Sequence, residues 1–204
     1  MSDEKTIDIY GISRLRPATD GKGIRTLICT YGCPLKCKYC VNPLSWNGKG
    51  KPKVYSLDEL YDTVKLDKLY WQATKGGITF GGGEPLLQAQ SIREFIDIFC
   101  EEINIVMETA VNVPPSNLDA VIDVIDYFYV DIKSMNHQIY EVYTGLDNNQ
   151  VLDNLKLLIE KAPNRFGVRI PLIKGYNDME DCERSKRILS EMGVKKTAIF
   201  EYRT

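Results

Sequence analysis

One histidine, His137, in 204 residues leaves no histidine pair for a zinc finger of the Cys2His2 kind. No apolar stretch reaches the roughly eighteen residues of a membrane span, and the opening MSDEKTIDIY is polar and acidic, unlike a secretory signal. A cytoplasmic protein is therefore expected. Neither sign of charge prevails: the net charge is −2, without a dominant basic patch, which gives no general attraction for nucleic acid or for a membrane surface. Internal repeats and low-complexity segments are also missing. The glycine run Gly81–Gly83 lacks the Lys-Ser/Thr ending that a phosphate loop requires. A disulfide framework of the six cysteines would suit a small secreted chain without a core, whereas 44% hydrophobic residues over this length suffice for a core. One domain over residues 1–204 is expected.

What is present is an alternation. β-rich runs occur at 25–32 (RTLICTYG), 76–83 (GGITFGGG), 103–110 (INIVMETA), 127–133 (YFYVDIK), 166–173 (FGVRIPLI) and 196–203 (KTAIFEYR). Helical patterns fill the gaps at 56–72, 88–102, 114–125, 149–162 and 179–193, the first opening with Ser56 and Glu59 at capping-box spacing. Such alternation predicts βαβ units and an α/β fold: a partial (β/α)6 barrel of parallel strands with outer helices, a doubly wound open sheet being the competitor. In either, ligands gather at the carboxyl ends of the strands. The polar and glycine-rich pieces CPLKCKYC, GGGEP, ET, DIK and RIPLIKGYND all fall there. The loop NGKGKPK at 47–53 reads as a solvated connection.

Cys29, Cys100 and Cys182 are scattered in apolar or helical contexts and read as inert buried thiols. Cys33, Cys37 and Cys40 are different, because C-x3-C-x2-C lets one loop wrap a compact inorganic centre. Zinc held by three cysteines and water fits this spacing. So does a cubane iron–sulfur cluster with three protein ligands and one iron left open for chemistry.

The cysteine motif with Tyr39 before its last member resembles the signature of radical S-adenosylmethionine enzymes. DGKGIRT at 20–26, GCPLKCKYCVNP, TFGGGEPLLQ, YVDIKSMN, YTGLDNNQVLDNL and VRIPLIKGYND, in this order, narrow the resemblance to the activating enzymes of glycyl radical enzymes, of the pyruvate formate-lyase activating type. The resemblance implies one 4Fe-4S cluster on Cys33, Cys37 and Cys40, whose free iron chelates the methionine part of S-adenosylmethionine. Reductive cleavage then yields a 5′-deoxyadenosyl radical that takes hydrogen from a glycine of a partner glycyl radical enzyme. An electron donor of flavodoxin or ferredoxin type and a monomeric chain are expected with it. The same chemistry on a small molecule or peptide is the alternative, and a non-catalytic metal-binding module is a third reading.

The resemblance also distributes roles. Gly82 and Gly83 let the backbone approach the methionine moiety, or else make a permissive turn; Glu84 receives its ammonium. Glu108 and Thr109 lie near its carboxylate, with a monovalent cation between them, or merely cap the strand end. Asp131 and Lys133 share one face of the fourth predicted strand at the cofactor. Arg169 clamps a carboxylate, a salt bridge being the alternative. Tyr39 packs near the adenine or in the core, and Arg203 stands in for the family's cofactor-proximal histidine. Asp20 and Arg25 face the substrate protein at the mouth, where a plain turn would also fit. Tyr140 occupies the place of another family histidine, and His137 is expected at the surface.

Overall fold

The computed structural model describes residues 5–17 and 19–201. Its elements run β1 (Thr6–Pro17), β2 (Ile24–Thr30), β3 (Lys53–Ser56), α1 (Leu57–Val64), α2 (Lys68–Thr74), β4 (Gly77–Gly82), α3 (Ala89–Phe99), β5 (Asn104–Thr109), α4 (Pro115–Asp119), β6 (Tyr127–Asp131), α5 (His137–Thr144), α6 (Asn149–Lys161), β7 (Phe166–Leu172), α7 (Met179–Met192) and β8 (Thr197–Glu201). All strands join one open sheet in the order β3-β1-β2-β4-β5-β6-β7-β8. The run from β2 to β8 is parallel throughout, as the βαβ reading requires.

One feature departs from expectation. The N-terminal segment forms β1, which pairs antiparallel with both β2 and β3 and widens the parallel sheet. Ile7 and Ile9 alternate with exposed or half-buried neighbours and are themselves buried, a period of two that the polar opening residues mask.

Side chains on one face of the strands, among them Ile28, Phe80, Met107, Phe128, Val130, Val168 and Ile170, build a single apolar core with Leu60, Trp71, Phe95, Leu155 and Leu189 of the helices. Their immediate neighbours along each strand point the other way. That inner face holds Leu27, Cys29, Glu108, Tyr129, Asp131 and Arg169, and contacts within this set confirm that they share it.

The predicted helix at 56–72 is broken in two. The capping box forms, with Glu59 N–H donating to Ser56 Oγ (3.2 Å) and Ser56 N–H to Glu59 Oε2 (3.0 Å). Yet residues 65–67 tighten into a 3-10 turn that delivers Asp67, fully buried, under the sheet. Its carboxylate takes a two-pronged bond from Arg14 (Nε 3.0 Å, Nη2 2.6 Å to Oδ1) and one from the Thr26 hydroxyl (2.6 Å). Trp71 Nε1–H in turn donates to Thr26 Oγ1 (3.2 Å). A buried carboxylate without these donors would be costly, so the register of α1, α2 and β1 is fixed by one acidic side chain.

Burial alone would raise the Asp67 carboxyl, but the bonds from Arg14 and Thr26 outweigh it and hold the group below the usual carboxylate range. A depressed folded-state pKa stabilises above the unfolded value and loses that contribution as pH falls through the depressed one. Asp67→Asn is expected to destabilise by about 1–3 kcal/mol at neutral pH, the range for losing bonds to a buried charge. Urea unfolding of both proteins should show this gap narrowing below about pH 4, where the unfolded carboxyl protonates.

Candidate functional site

After β2 the chain turns at Gly32, whose φ of +96° suits glycine, and enters the cysteine loop. The loop hangs from backbone groups on both sides. Lys36 N–H donates to Thr144 O (2.7 Å) and Lys38 N–H to Tyr143 O (3.2 Å), using carbonyls at the carboxyl end of α5 that have no helical partner. Gly32 N–H donates to Ser45 O (2.8 Å). On the other flank Gly83 N–H reaches Thr30 O (3.0 Å), Glu84 N–H reaches Gly32 O (2.7 Å), and the Asn42 amide donates to Gly82 O (3.2 Å). A Cβ on Gly82 would stand 2.5 Å from the Cys29 Cβ, and one on Gly83 2.2 Å from Gly32 O. Close seating of the loop on β4 therefore demands glycine at both positions, whatever they also do for a ligand.

The three cysteines form one wall of a cavity of about 200 Å³, opposite Gly82–Glu84, Glu108, Asp131 and Lys133. It lies at the carboxyl ends of the strands, as anticipated. Burial pushes the Cys33 thiol up to about 12, with the Glu84 charge adding to it. Cys37 is raised by burial too, and the Lys133 ammonium opposes this. Burial thus favours the protonated forms of Cys33 and Cys37; an electrophilic metal centre taking the proton's place would make them thiolates.

Three cysteines on one cavity, with no histidine in its lining, suit an iron–sulfur cluster with one iron uncapped.

The acidic side chains at the cavity already have partners. Glu84 is 1% exposed; Oε1 accepts from the Thr109 hydroxyl (2.6 Å) and Leu86 N–H (3.2 Å), and Oε2 from Ala110 N–H (2.9 Å). Burial nevertheless keeps its carboxyl above the ordinary range. Thr109 so belongs to Glu84, tying the ends of β4 and β5 together. Arg169 grips Asp131 with both prongs (Nε to Oδ1 2.6 Å, Nη2 to Oδ2 3.1 Å) and Glu108 with the third nitrogen (3.1 Å). Burial works against its charge, but the two carboxylates outweigh that and raise its pKa. Lys133 Nζ lies 3.9 Å from Asp131 Oδ2. The result is a chain of alternating charges, Lys133–Asp131–Arg169–Glu108, of which Lys133, Asp131 and Glu108 line the cavity.

Other expected residues behave differently. Tyr39 is 38% exposed and packs edge-on against Tyr143 (6.3 Å) and Tyr176 (5.6 Å); it is Tyr143 that reaches the cavity lining. Asp20 is buried, ion-paired to Arg16, and its carbonyl accepts from Thr79 Oγ1 (2.8 Å). Arg25 is a correction. It is fully buried near the start of β2, and its donors go to Thr79 Oγ1 (2.6 Å), Ile78 O (2.5 Å), Asn104 O and Oδ1 (2.9 Å each) and Lys22 O (3.3 Å). A guanidinium so enclosed cannot touch a partner protein. Burial lowers its pKa to about 10, which leaves it charged at neutral pH.

Arg203 lies outside the described residues. His137 is half exposed at the start of α5, with Nδ1 3.0 Å from Asn148 Oδ1, a surface residue as expected. Cys100 and Cys182 are buried as expected, but Cys29 is half-buried on the inner face. Sequence reasoning missed Arg16, Asn42 and Tyr143; only Asn42, two residues past Cys40, carried a positional signal.

Residues 27–186 match the family model described as the Radical SAM superfamily. The 4-hydroxyphenylacetate decarboxylase activating enzyme of Clostridioides difficile (strain 630) is 30% identical, over 89% of this chain and 77% of its own length. The pyruvate formate-lyase 1-activating enzyme of Escherichia coli (strain K12) is 29% identical over 90% of this chain and 76% of its own. The first alignment runs to 247 residues and the second to 188, so the clostridial enzyme carries segments that this chain lacks. Among solved structures, Streptococcus suis SuiB bound to S-adenosylmethionine shares the fold, with a TM-score of 0.65 and 16% identity over 85% of this chain and 39% of that one. Three cysteines on one cavity wall, an open parallel sheet and this relatedness agree: the chain belongs to the radical SAM superfamily, among the activating enzymes of glycyl radical enzymes, whose cofactors are a 4Fe-4S cluster and S-adenosylmethionine.

Proposed function

We propose that this protein installs a radical on a backbone glycine of a partner glycyl radical enzyme, with Cys33, Cys37 and Cys40 as the protein ligands of one 4Fe-4S cluster. The observation that carries this reading is the shared cavity, lined by the three thiols together with Lys133, Asp131 and Glu108, the two carboxylates being held by Arg169. When bound, the cofactors supply reductive S–C bond cleavage and the abstraction of a hydrogen atom. The protein's own part is binding and orientation. Glu84, already oriented by Thr109, Ala110 and Leu86, keeps lone pairs for an ammonium group. Arg169 and Lys133 offer positive charge to a carboxylate, and Asp131 and Glu108 fix where those cations stand. Tyr143 closes the apolar side, with Tyr39 supporting it from behind. A cluster seated in this surface loop is reachable by an electron donor of flavodoxin or ferredoxin type.

Anaerobic reconstitution with iron and sulfide, then S-adenosylmethionine and reductant, tests the reading. A glycyl doublet in the electron paramagnetic resonance spectrum is expected only when the cognate glycyl radical enzyme is present. Cofactor cleavage with no such signal in the cognate partner would instead point to a small-molecule or peptide substrate.

Two substitutions follow. Cys37→Ala should leave a folded protein unable to retain the cluster, with iron content falling at least about tenfold in metal analysis because one of three ligands is lost. Arg169→Lys should keep the iron but weaken S-adenosylmethionine binding about tenfold in equilibrium titration, since a lysine cannot hold Asp131 and Glu108 together.

A further inference from the structure

Behind the cysteine cavity, the segment 110–113 between β5 and α4 meets two unfavourable features at once. Val111 has a φ of +48°, a left-handed conformation that a β-branched residue adopts only under constraint. Asn154 of α6 is fully buried beneath the same segment, and its Oδ1 finds no hydrogen-bond donor among the described residues. A strained backbone and a half-satisfied buried amide each cost stability. Here they are joined: Asn154 Nδ2–H donates to Val111 O (2.8 Å) and to Val113 O (2.7 Å). Two carbonyl oxygens beside the nitrogen fix which end of the amide faces them.

The turned backbone serves the cavity. On either side of it, Val111 N–H donates to Thr109 Oγ1 (2.9 Å) and Ala110 N–H to Glu84 Oε2 (2.9 Å). Thr109 passes its own proton to Glu84 Oε1 (2.6 Å). Two of the three groups that donate to Glu84 thus depend on this turn, and Ala110 itself lines the cavity. The constraint comes from α5 and α6. Asn112 Nδ2–H donates to Asp147 O (2.7 Å), between those helices, and to the Tyr140 hydroxyl of α5 (3.1 Å). The last carbonyls of α5 also hold the cysteine loop. One helix pair therefore grips both walls of the cavity, and Asn154 holds the wall that carries Glu84.

We infer that Asn154 is a positioning residue for the ligand's ammonium group: it clamps the left-handed turn at Val111, and the turn aims Glu84 across the cavity. This rests on the ammonium-binding role proposed for Glu84. Asn154 is not part of the cavity lining, so its influence passes through Val111 and Ala110. Glycine takes the left-handed conformation without strain and needs the clamp far less. That asymmetry separates positioning from packing. Val111 is fully buried, so its removal would worsen a simple packing defect, whereas it would repair the loss of a clamp.

Equilibrium titration of the anaerobically reconstituted protein with S-adenosylmethionine, alongside iron analysis, tests this. Asn154→Ala is expected to keep its iron, because the bonds that seat the cysteine loop are untouched. It should bind S-adenosylmethionine at least about tenfold more weakly. Adding Val111→Gly to Asn154→Ala should restore the affinity to within about threefold of wild type. Glu84→Gln should show a loss like that of Asn154→Ala, and the two together should bind no more weakly than Glu84→Gln alone, because both act through one contact. Wild-type affinity in Asn154→Ala, or losses that simply add, overturns the inference. So does a double variant with Val111→Gly that fails to regain affinity. Should Asn154→Ala lose its iron, the same double variant decides: recovery of iron and affinity together supports the clamp, and loss of both assigns Asn154 to folding alone and overturns it. Full affinity in Glu84→Gln shows instead that the role proposed for Glu84 is at fault.

Discussion

Three thiols can face one small cavity only if the loop that bears them is held on both flanks. Around the cysteines, the segment 31–52 between β2 and β3 has few hydrogen bonds of its own, Cys40 N–H to Cys37 O (3.2 Å) among them. Here the support comes from elsewhere: carbonyls at the end of α5 take two loop amides, while the end of β4 supplies Gly83 and Glu84 amides to Thr30 and Gly32. The second contact is so close that a methyl group at Gly82 or Gly83 would collide with Cys29 or Gly32. The GGGEP stretch is thus first a packing requirement, and its nearness to a cofactor is a consequence. Because Glu84 follows directly, the seat that fixes the cysteines also fixes the carboxylate across from them.

Charge on the inner face obeys a second constraint. Carboxylates taken out of water must find partners, and a half-satisfied network costs more than none. Glu84 is satisfied by a hydroxyl and two amides, Asp131 by both prongs of Arg169, and Glu108 by the remaining guanidinium nitrogen. Such pairing adds little net stability, since desolvation consumes much of the Coulombic gain. It does hold charged groups in fixed positions before any ligand arrives. Preorganisation of this kind lets a zwitterionic ligand be recognised without rearranging the site.

The sequence made the parallel strands legible because β-branched and aromatic runs alternate with capped amphipathic segments, and each signal is local. The cysteine loop was legible for the same reason. What escaped depends on partners far along the chain. β1 lies between β3 and β2, its apolar period covers only Ile7 and Ile9, and its pairing with β2 across a turn leaves no mark in composition. Asp67 looks like any helical acid until Arg14, 53 residues earlier, reaches it. Thr109 and Glu84 each suggest a ligand contact when read alone, yet they bond to each other across 25 residues. Tyr39 was expected near the adenine or in the core; its ring packs edge-on against Tyr143, the tyrosine that lines the cysteine cavity, a neighbour 104 residues on that the motif does not reveal.

Arg25 shows how far a motif can mislead about place. Charged residues in DGKGIR suggest contact with a partner, yet the guanidinium is spent inside the sheet, on Ile78 and Asn104 carbonyls of the neighbouring strands and on the Thr79 hydroxyl. Parallel strands leave slanted, incompletely used backbone groups at their amino ends, where no helix amide arrives to satisfy them. A fully buried arginine with five donors can serve three strands at once, and its high intrinsic pKa keeps it charged even after burial lowers the value to about 10. By closing the sheet there, Arg25 also anchors the turn before it through the Lys22 carbonyl. The turn carrying Lys22 is thus anchored in part by the same side chain whose own charge is buried inside the sheet.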